Sequence, residues 1–473
     1  MKSTSATLVL FIELMVCLAL LSGCATEVAP GGGPRDTTPP SITSMNPKYA
    51  STNFNAKKIE IEFDEFIQLK NYKQQLVISP PFKNDPEIFI RGKKLIIKIL
   101  NDLQPDNTYR LFFGDAIVDY NEGNALHNLQ YVFSTGQHID SSTVNGMLLD
   151  AYTKKPVKNT LVTLYDDKSD SAFVKTLPRY VTKTDANGLF TFEYLADTTY
   201  RIYAVDDKDN SYNYSLNNEN IAFADADITP NDSTVITLYM FDYQVNTDTI
   251  NSGKLEILAR QKGKIHYTDT LQLHFNHAIK SVINDSVLVV QSRDTVTDTL
   301  YTTIHCTDTA EHCAYVDMAF VDGWSYTFTI KDSSFVDIFG NYNAGYTHNV
   351  VAADTNAFGK IVVRVKSVND TITDSENVAK SSDLQYIVGL FDKGDIMVGR
   401  YLIVPPNADF VVFDNVLPAT GYFVRVIRDD DKNVRYTSGD YYRKRQPEVV
   451  EVGKNIDVKA NFTVEETILI DFQ

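Results

Sequence analysis

Alternation of apolar and polar residues is the feature that most limits what this chain can become. Ile59, Ile61 and Phe63 alternate with Lys58, Glu60 and Glu62. Leu95, Ile97 and Ile99 repeat the pattern, as do Phe190, Phe192 and Tyr194. Further on, Phe423, Arg425 and Ile427 alternate with Tyr422, Val424 and Val426. Successive side chains of a strand point to opposite faces, so such runs predict half-buried strands. Asn-Gly, Pro-Asp and Gly-Asn steps punctuate them at the short spacing of sandwiches. No helical period is sustained beyond the N-terminal apolar run. The expected fold is all-β, a set of tandem β-sandwich modules.

The chain has 473 residues, enough for three or four domains of about 100–150 residues each. Its net charge of -17 argues against nucleic-acid binding, which needs basic surface to displace counterions. It fits a self-repelling envelope protein. With 43% hydrophobic residues, 27 Tyr and 26 Phe, wholesale disorder is excluded. After the N-terminal run, no apolar stretch approaches the roughly 18 residues of a spanning helix.

That run extends from about Ala6 to Leu21, behind Lys2 and interrupted by Glu13. It is too short to span a bilayer and reads as the core of a cleaved signal peptide. Leu21-Ser22-Gly23-Cys24 closes it and resembles a bacterial lipoprotein signal. The resemblance implies cleavage before Cys24, lipid on Cys24 and attachment to a membrane face. An ordinary secretory signal is the alternative. Ala25 is not the aspartate of inner-membrane retention, so an outer-membrane location is expected, on its periplasmic or its exterior face. Pro30, Gly31 to Gly33, Pro34, Pro39 and Pro40 then make a linker.

The first module, 38–137, contains Ile61-Glu62-Phe63-Asp64-Glu65-Phe66-Ile67, Ile78-Ser79-Pro80-Pro81, Ile117-Val118-Asp119-Tyr120-Asn121-Glu122-Gly123-Asn124 and Tyr131-Val132-Phe133-Ser134-Thr135-Gly136. This succession resembles the bacterial Ig-like domain named for the surface-layer protein SbsA, as found in lipoproteins of the Bacteroidetes. Phe66 departs from it, standing where the family has a smaller residue or proline. The second module, 143–240, runs through Val144-Asn145-Gly146, Thr184-Asp185-Ala186-Asn187-Gly188 and Tyr200-Arg201-Ile202-Tyr203-Ala204. It resembles the transthyretin-like fold of carboxypeptidase regulatory domains. Leu271 to Ile279 parallels Ile59 to Ile67, and Phe335 to Asn341 parallels Ile117 to Asn124. Tyr422 to Val426 likewise parallels Tyr200 to Ala204. Behind a signal peptide (1–23) and linker (24–37), divergent copies are therefore expected at 248–352 (Ig-like) and 358–473 (transthyretin-like). Such a series suggests an extended rod.

Acidic loops follow both transthyretin-like segments: Asp206, Asp207, Asp209 and Asn210 in one, Asp429, Asp430, Asp431 and Asn433 in the other. Such oxygen donors suit calcium, although Tyr212 and Asn218 break the EF-hand pattern; a solvated hairpin loop is the competing reading. No other cofactor is called for. Cys306 and Cys313 are expected to close a small disulfide loop, with free thiols or a metal site shared with His305 and His312 as alternatives. Asp64 and Glu65 are neighbours on a strand and diverge, so they cannot flank one glycosidic bond. His274 and His277 should likewise face apart. No nucleophile elbow, phosphate loop or zinc-protease helix is present. Tyr212, Tyr214, Tyr441 and Tyr442 are candidate stacking platforms, and Arg443-Lys444-Arg445 a local basic patch. The sequence thus points to a non-enzymatic, lipid-anchored structural or adhesion protein with an envelope protein or glycan as partner. A carbohydrate-binding accessory lipoprotein is the alternative.

Overall fold

The computed structural model describes residues 35–216, 218–230, 235–242, 253–258, 263–283, 287–306, 312–367, 384–405 and 408–470. The signal segment, Cys24 and the linker up to Pro34 lie outside them. Strands dominate throughout, and no helix among the described residues is long and apolar enough to cross a membrane.

In the first sandwich, strands Ile42–Asn46, Lys58–Phe63, Lys94–Lys98 and Glu87–Arg91 form one antiparallel sheet in that order. Leu129–Ser134, Thr108–Gly114 and Val77–Ser79 form a second. Ile59, Ile61 and Phe63 all turn inward against Leu95, Ile97, Leu111, Phe113 and Phe133. Each such burial contributes about 1.5–3 kcal/mol. The intervening Glu60 and Glu62 face outward to Lys58 and Lys94. A short ladder joins Ile67–Leu69 to Ile117–Asp119 at one pole.

The third sandwich has its own core around Leu271, Leu273, Phe275, Phe328 and Val350. Its short polar ladder joins Ile279–Val282 to Phe335–Asp337. The disulfide expected here is not formed: no bond links Cys306 to Cys313. Strand register explains this. Ile304 pairs with Val316 and His305 with Tyr315, so continuing the ladder sets Cys306 opposite Ala314. Cys306 therefore shares the core face with Ile304, while Cys313 shares the other face with Tyr315. Thiols on opposite faces cannot bridge. His305 stacks on Tyr315 instead.

The second and fourth sandwiches have one topology. In the second, Ser142–Asp150 is the central strand of three, antiparallel to Leu189–Leu195 and parallel to Ile236–Met240. In the fourth, Gly359–Ser367 lies antiparallel to Phe410–Val416 and parallel to Thr463–Ile470. The opposing sheets are ordered Tyr180–Lys183, Leu161–Tyr165, Arg201–Val205, Ile221–Phe223 and Met397–Ile403, Gln385–Phe391, Ala419–Asp429, Val450–Val452.

An extended rod is not what these modules build. The sheet of the second sandwich that holds Leu161–Tyr165 is buried on both faces. Its outer face carries Tyr165, Tyr203 and Phe223; Phe173 of the helical turn Ala172–Lys175 packs onto them, and Tyr441 of the fourth sandwich completes that cluster. Tyr441 is only 2% exposed and meets Phe173 and Tyr203 edge to face. Its hydroxyl donates to the Asp170 carbonyl at 2.8 Å. Nearby, a Cβ at Gly439 would lie 2.5 Å from the Phe241 ring, so only glycine permits this approach. Reciprocally, Tyr152 of the second sandwich stacks on the Arg425 guanidinium at 4.3 Å. The first sandwich joins the second edge to edge. Val181 N donates to Ser79 Oγ at 3.1 Å, and Val77 packs into the aromatic cluster.

Candidate metal centres

Both acidic loops leave a central strand of the sheet facing the interface and return to an edge strand. In the second sandwich the loop follows Arg201–Val205. The Asp207 carboxylate accepts from Ser211 N at 2.9 Å and Tyr212 N at 3.1 Å. Asp209 accepts from Ser211 N and from Ser215 Oγ at 2.8 Å. Glu219, wholly buried, accepts from Lys208 N, Ser215 N and Leu216 N.

The fourth sandwich repeats this network. Asp429 accepts from Asn433 N at 3.0 Å and Val434 N at 2.9 Å. Asp431 accepts from Asn433 N and Thr437 Oγ1. Glu448 accepts from Asp430 N and Thr437 N, both near 2.9 Å. Every partner through Thr437 lies 222 positions after its counterpart. Glu448 lies seven further along, because the turn carrying Tyr441 is inserted before it.

Each loop brings three carboxylates together: Asp207, Asp209 and Glu219, and Asp429, Asp431 and Glu448, with one oxygen of each within 4.8 Å of the others. Burial pushes the Asp207 carboxyl above its ordinary range, whereas the hydrogen bond from Ser215 pulls Asp209 below it. Burial, reinforced by the charges of Asp431 and Asp429, raises Glu448 to about 7. Glu219, Asp429 and Glu448 are buried while Asp209 and Asp431 open to solvent. Carboxylates this close repel one another, and a proton or a cation between them relieves that repulsion. The all-oxygen donor set fits a hard cation such as calcium and not a thiophilic metal.

Of the eight residues singled out in the sequence, Asp207, Asp209, Asp429 and Asp431 converge. Asp206 lies 3.9 Å from Lys208 Nζ, and Asp430 pairs with Arg428 at 2.7 Å. Asn210 occupies a left-handed turn position (φ 59°), and the Asn433 side chain bonds Thr437 and Arg435 N. Glu219 and Glu448 were missed. Their shared signal is an acid two residues before the edge strands Ile221–Phe223 and Val450–Val452. Glu219 also directly follows Asn218, where an EF-hand would place its glutamate.

Other candidates fall elsewhere. Asp64 is bound by Ser41 N and Oγ at 2.8 and 2.6 Å. His277 Nδ1 lies 2.7 Å from Asp337 Oδ2 in a buried pair. Tyr214 and Tyr441 are buried in the interface and offer no platform to a sugar; Tyr442 remains exposed. Within the basic patch, Lys444 reaches Asp170 across the interface at 3.6 Å, and Arg445 donates to the Ser438 carbonyl.

Residues 36–135 match the bacterial Ig-like domain family Big_5. No curated protein sequence matches the chain. Among solved structures, the chain is similar to the Bacillus anthracis TIE protein, with 10% identity over 93% of this chain and 76% of that one and a TM-score of 0.18. It is also similar to BcpA, the major pilin subunit of Bacillus cereus, with 11% identity over 71% of this chain and 100% of that one and a TM-score of 0.17. Domains 1–6 of the surface layer protein SbsC align at 10% identity over 92% of this chain and 54% of that one, with a TM-score of 0.15.

Proposed function

We propose that this chain is a cell-envelope protein anchored through lipid on Cys24, with a non-enzymatic structural or adhesive role. In this reading two Ig-like and two transthyretin-like sandwiches act as one body that presents surface to a partner. The observation that carries it is the reciprocal docking of the second and fourth sandwiches through Tyr441 and Arg425. Modules joined by buried aromatic surface transmit position and force, which linked but independent beads do not. In-cell crosslinking and a glycan array with the mature chain test the role together. A saturable protein partner and a silent array are expected; a saturable glycan would replace this role with that of a carbohydrate-binding accessory protein. Membrane fractionation tests the anchor: Cys24→Ser should release a folded protein.

Calcium-stabilised loops belong to the same proposal, and the paired carboxylate triads favour them. Asp207, Asp209 and Glu219 would hold one ion; Asp429, Asp431 and Glu448 the other. Calcium would supply charge neutralisation, while the backbone amides already orient the carboxylates. Titration calorimetry on the full chain should give heat and a raised melting temperature. Neither response would remove calcium from the proposal.

A further inference from the structure

We propose that Phe66 and Tyr120 form a lipid-facing contact, seated in the headgroup layer of the membrane that carries the anchor; this rests on the reading of Cys24 as lipid-modified. The two side chains are 58% and 64% exposed, on adjacent turns at one pole of the first sandwich. Tyr120 N donates to the Phe66 carbonyl at 2.9 Å, which fixes the turns together. The tether arrives at this same pole. Arg35 Nη2 donates to the Glu122 carbonyl at 3.2 Å, and Asn124 Nδ2 to the Asp36 carbonyl at 3.1 Å. Only ten residues separate Cys24 from Arg35. At about 3.3–3.6 Å per extended residue, this holds the pole within roughly 40 Å of the lipid, and any slack brings it closer.

The third sandwich supplies the control. There, Ile338 N donates to the Ala278 carbonyl at 3.0 Å, reproducing the bond between Tyr120 and Phe66. The residues in those two places are a buried alanine and a partly exposed isoleucine. Only the copy next to the tether carries aromatic rings, and neither ring is needed to make the turn. Aromatic rings favour the boundary between hydrocarbon and water, where the tyrosine hydroxyl stays solvated. Carboxylates gather at this pole: burial, with the charges of Asp119, Asp64, Asp36 and Glu122, raises the Glu65 carboxyl next to Phe66. Lys93 Nζ, 5.7 Å from the centre of the Phe66 ring, is the cation beside them. An acidic rim is repelled by anionic headgroups, so the surface that fits is zwitterionic.

The test uses the lipidated full chain in phosphatidylcholine vesicles with brominated acyl chains. Trp324 is the single tryptophan and lies in the third sandwich. In the Trp324→Phe, Phe66→Trp double variant, the introduced indole should lose intensity in brominated relative to plain vesicles. The unaltered protein, reporting from Trp324, should not. Flotation with vesicles but equal intensity in both would overturn the contact while leaving the anchor intact. Failure of the unaltered protein to float would overturn the anchor, and the contact with it. If Phe66→Trp lowers the melting temperature, Tyr120→Trp in the Trp324→Phe background gives the same readout.

Discussion

Tyr203 and Arg425 occupy the same place in two sandwiches of one topology, four residues before Asp207 and Asp429. Both face the interface, yet they solve it differently. Tyr203 stacks on Phe173 at 4.3 Å and joins an apolar aromatic cluster. Arg425, only 1% exposed, sits among Tyr152, Phe391 and Phe423 and pairs with Asp395 at 2.6 Å. Its guanidinium holds the Asp395 carboxyl below the ordinary range. Duplicated faces of identical chemistry could pair with themselves in another chain as easily as with each other. One aromatic face and one caged cation make the contact directional.

The comparison breaks most visibly at Tyr441. Tyr441→Ala should cost about 4–5 kcal/mol, as for deletion of a large buried ring, and expose the aromatic face of the second sandwich. Urea unfolding should then split into separate transitions. Arg425→Ala should cost about 3–4 kcal/mol, largely by emptying the cage of Tyr152, Phe391 and Phe423. Asp395 is partly exposed and keeps Lys155 at 3.4 Å, so the Arg425→Ala, Asp395→Ala double variant should lose little more than the single one. A double-mutant cycle by thermal melting checks this.

The acidic loops sharpen the comparison through pH. Glu448 has a raised pKa in the folded protein, so its contribution is full below its unfolded value near 4.5 and is lost as pH rises through about 7. In chelator this loss is about 3 kcal/mol, from about 1.4 kcal/mol per pK unit. Melting temperature followed across pH 4 to 8 should fall in the unaltered chain and stay flatter in Glu448→Gln. Calcium should cancel the difference. Smallest is Lys444→Ala, which removes an exposed ion pair with Asp170 and a cation–π contact over the Tyr441 ring at 3.7 Å, together worth about 1–2 kcal/mol. A shift comparable to that of Tyr441→Ala would mean that charge, not aromatic packing, joins the sandwiches.

Strand character was legible because period-two patterning is local. Ile59, Ile61, Phe63, Leu95, Ile97, Phe190 and Phe192 are buried as their alternation requires. Tyr194 breaks its run. It takes φ 61° beside a register shift and turns its hydroxyl to Tyr49 of the first sandwich, 3.2 Å away. The four converging aspartates were legible as clusters. Glu219 and Glu448 were not, because they stand at different spacings from their aspartates and only the returning chain brings them in. The cysteine prediction failed on parity: proximity in sequence says nothing about which face of a ladder a thiol occupies. The burial of Tyr441 depends on a surface more than 200 residues away, which no local pattern encodes.

Parallel pairing of first and last strands has a mechanical consequence. In the second sandwich, residues 146–150 pair in register with 236–240. Tension drawn through the chain pulls these neighbours in opposite directions along their own axes. The ladder bonds are then strained together in shear, and none can open alone as in a zipper. The fourth sandwich extends that ladder from Lys360 to Ser367. Resistance to pulling is governed by the unfolding rate rather than by equilibrium stability. These sandwiches should therefore hold their length under a tug well beyond what their melting temperatures alone suggest.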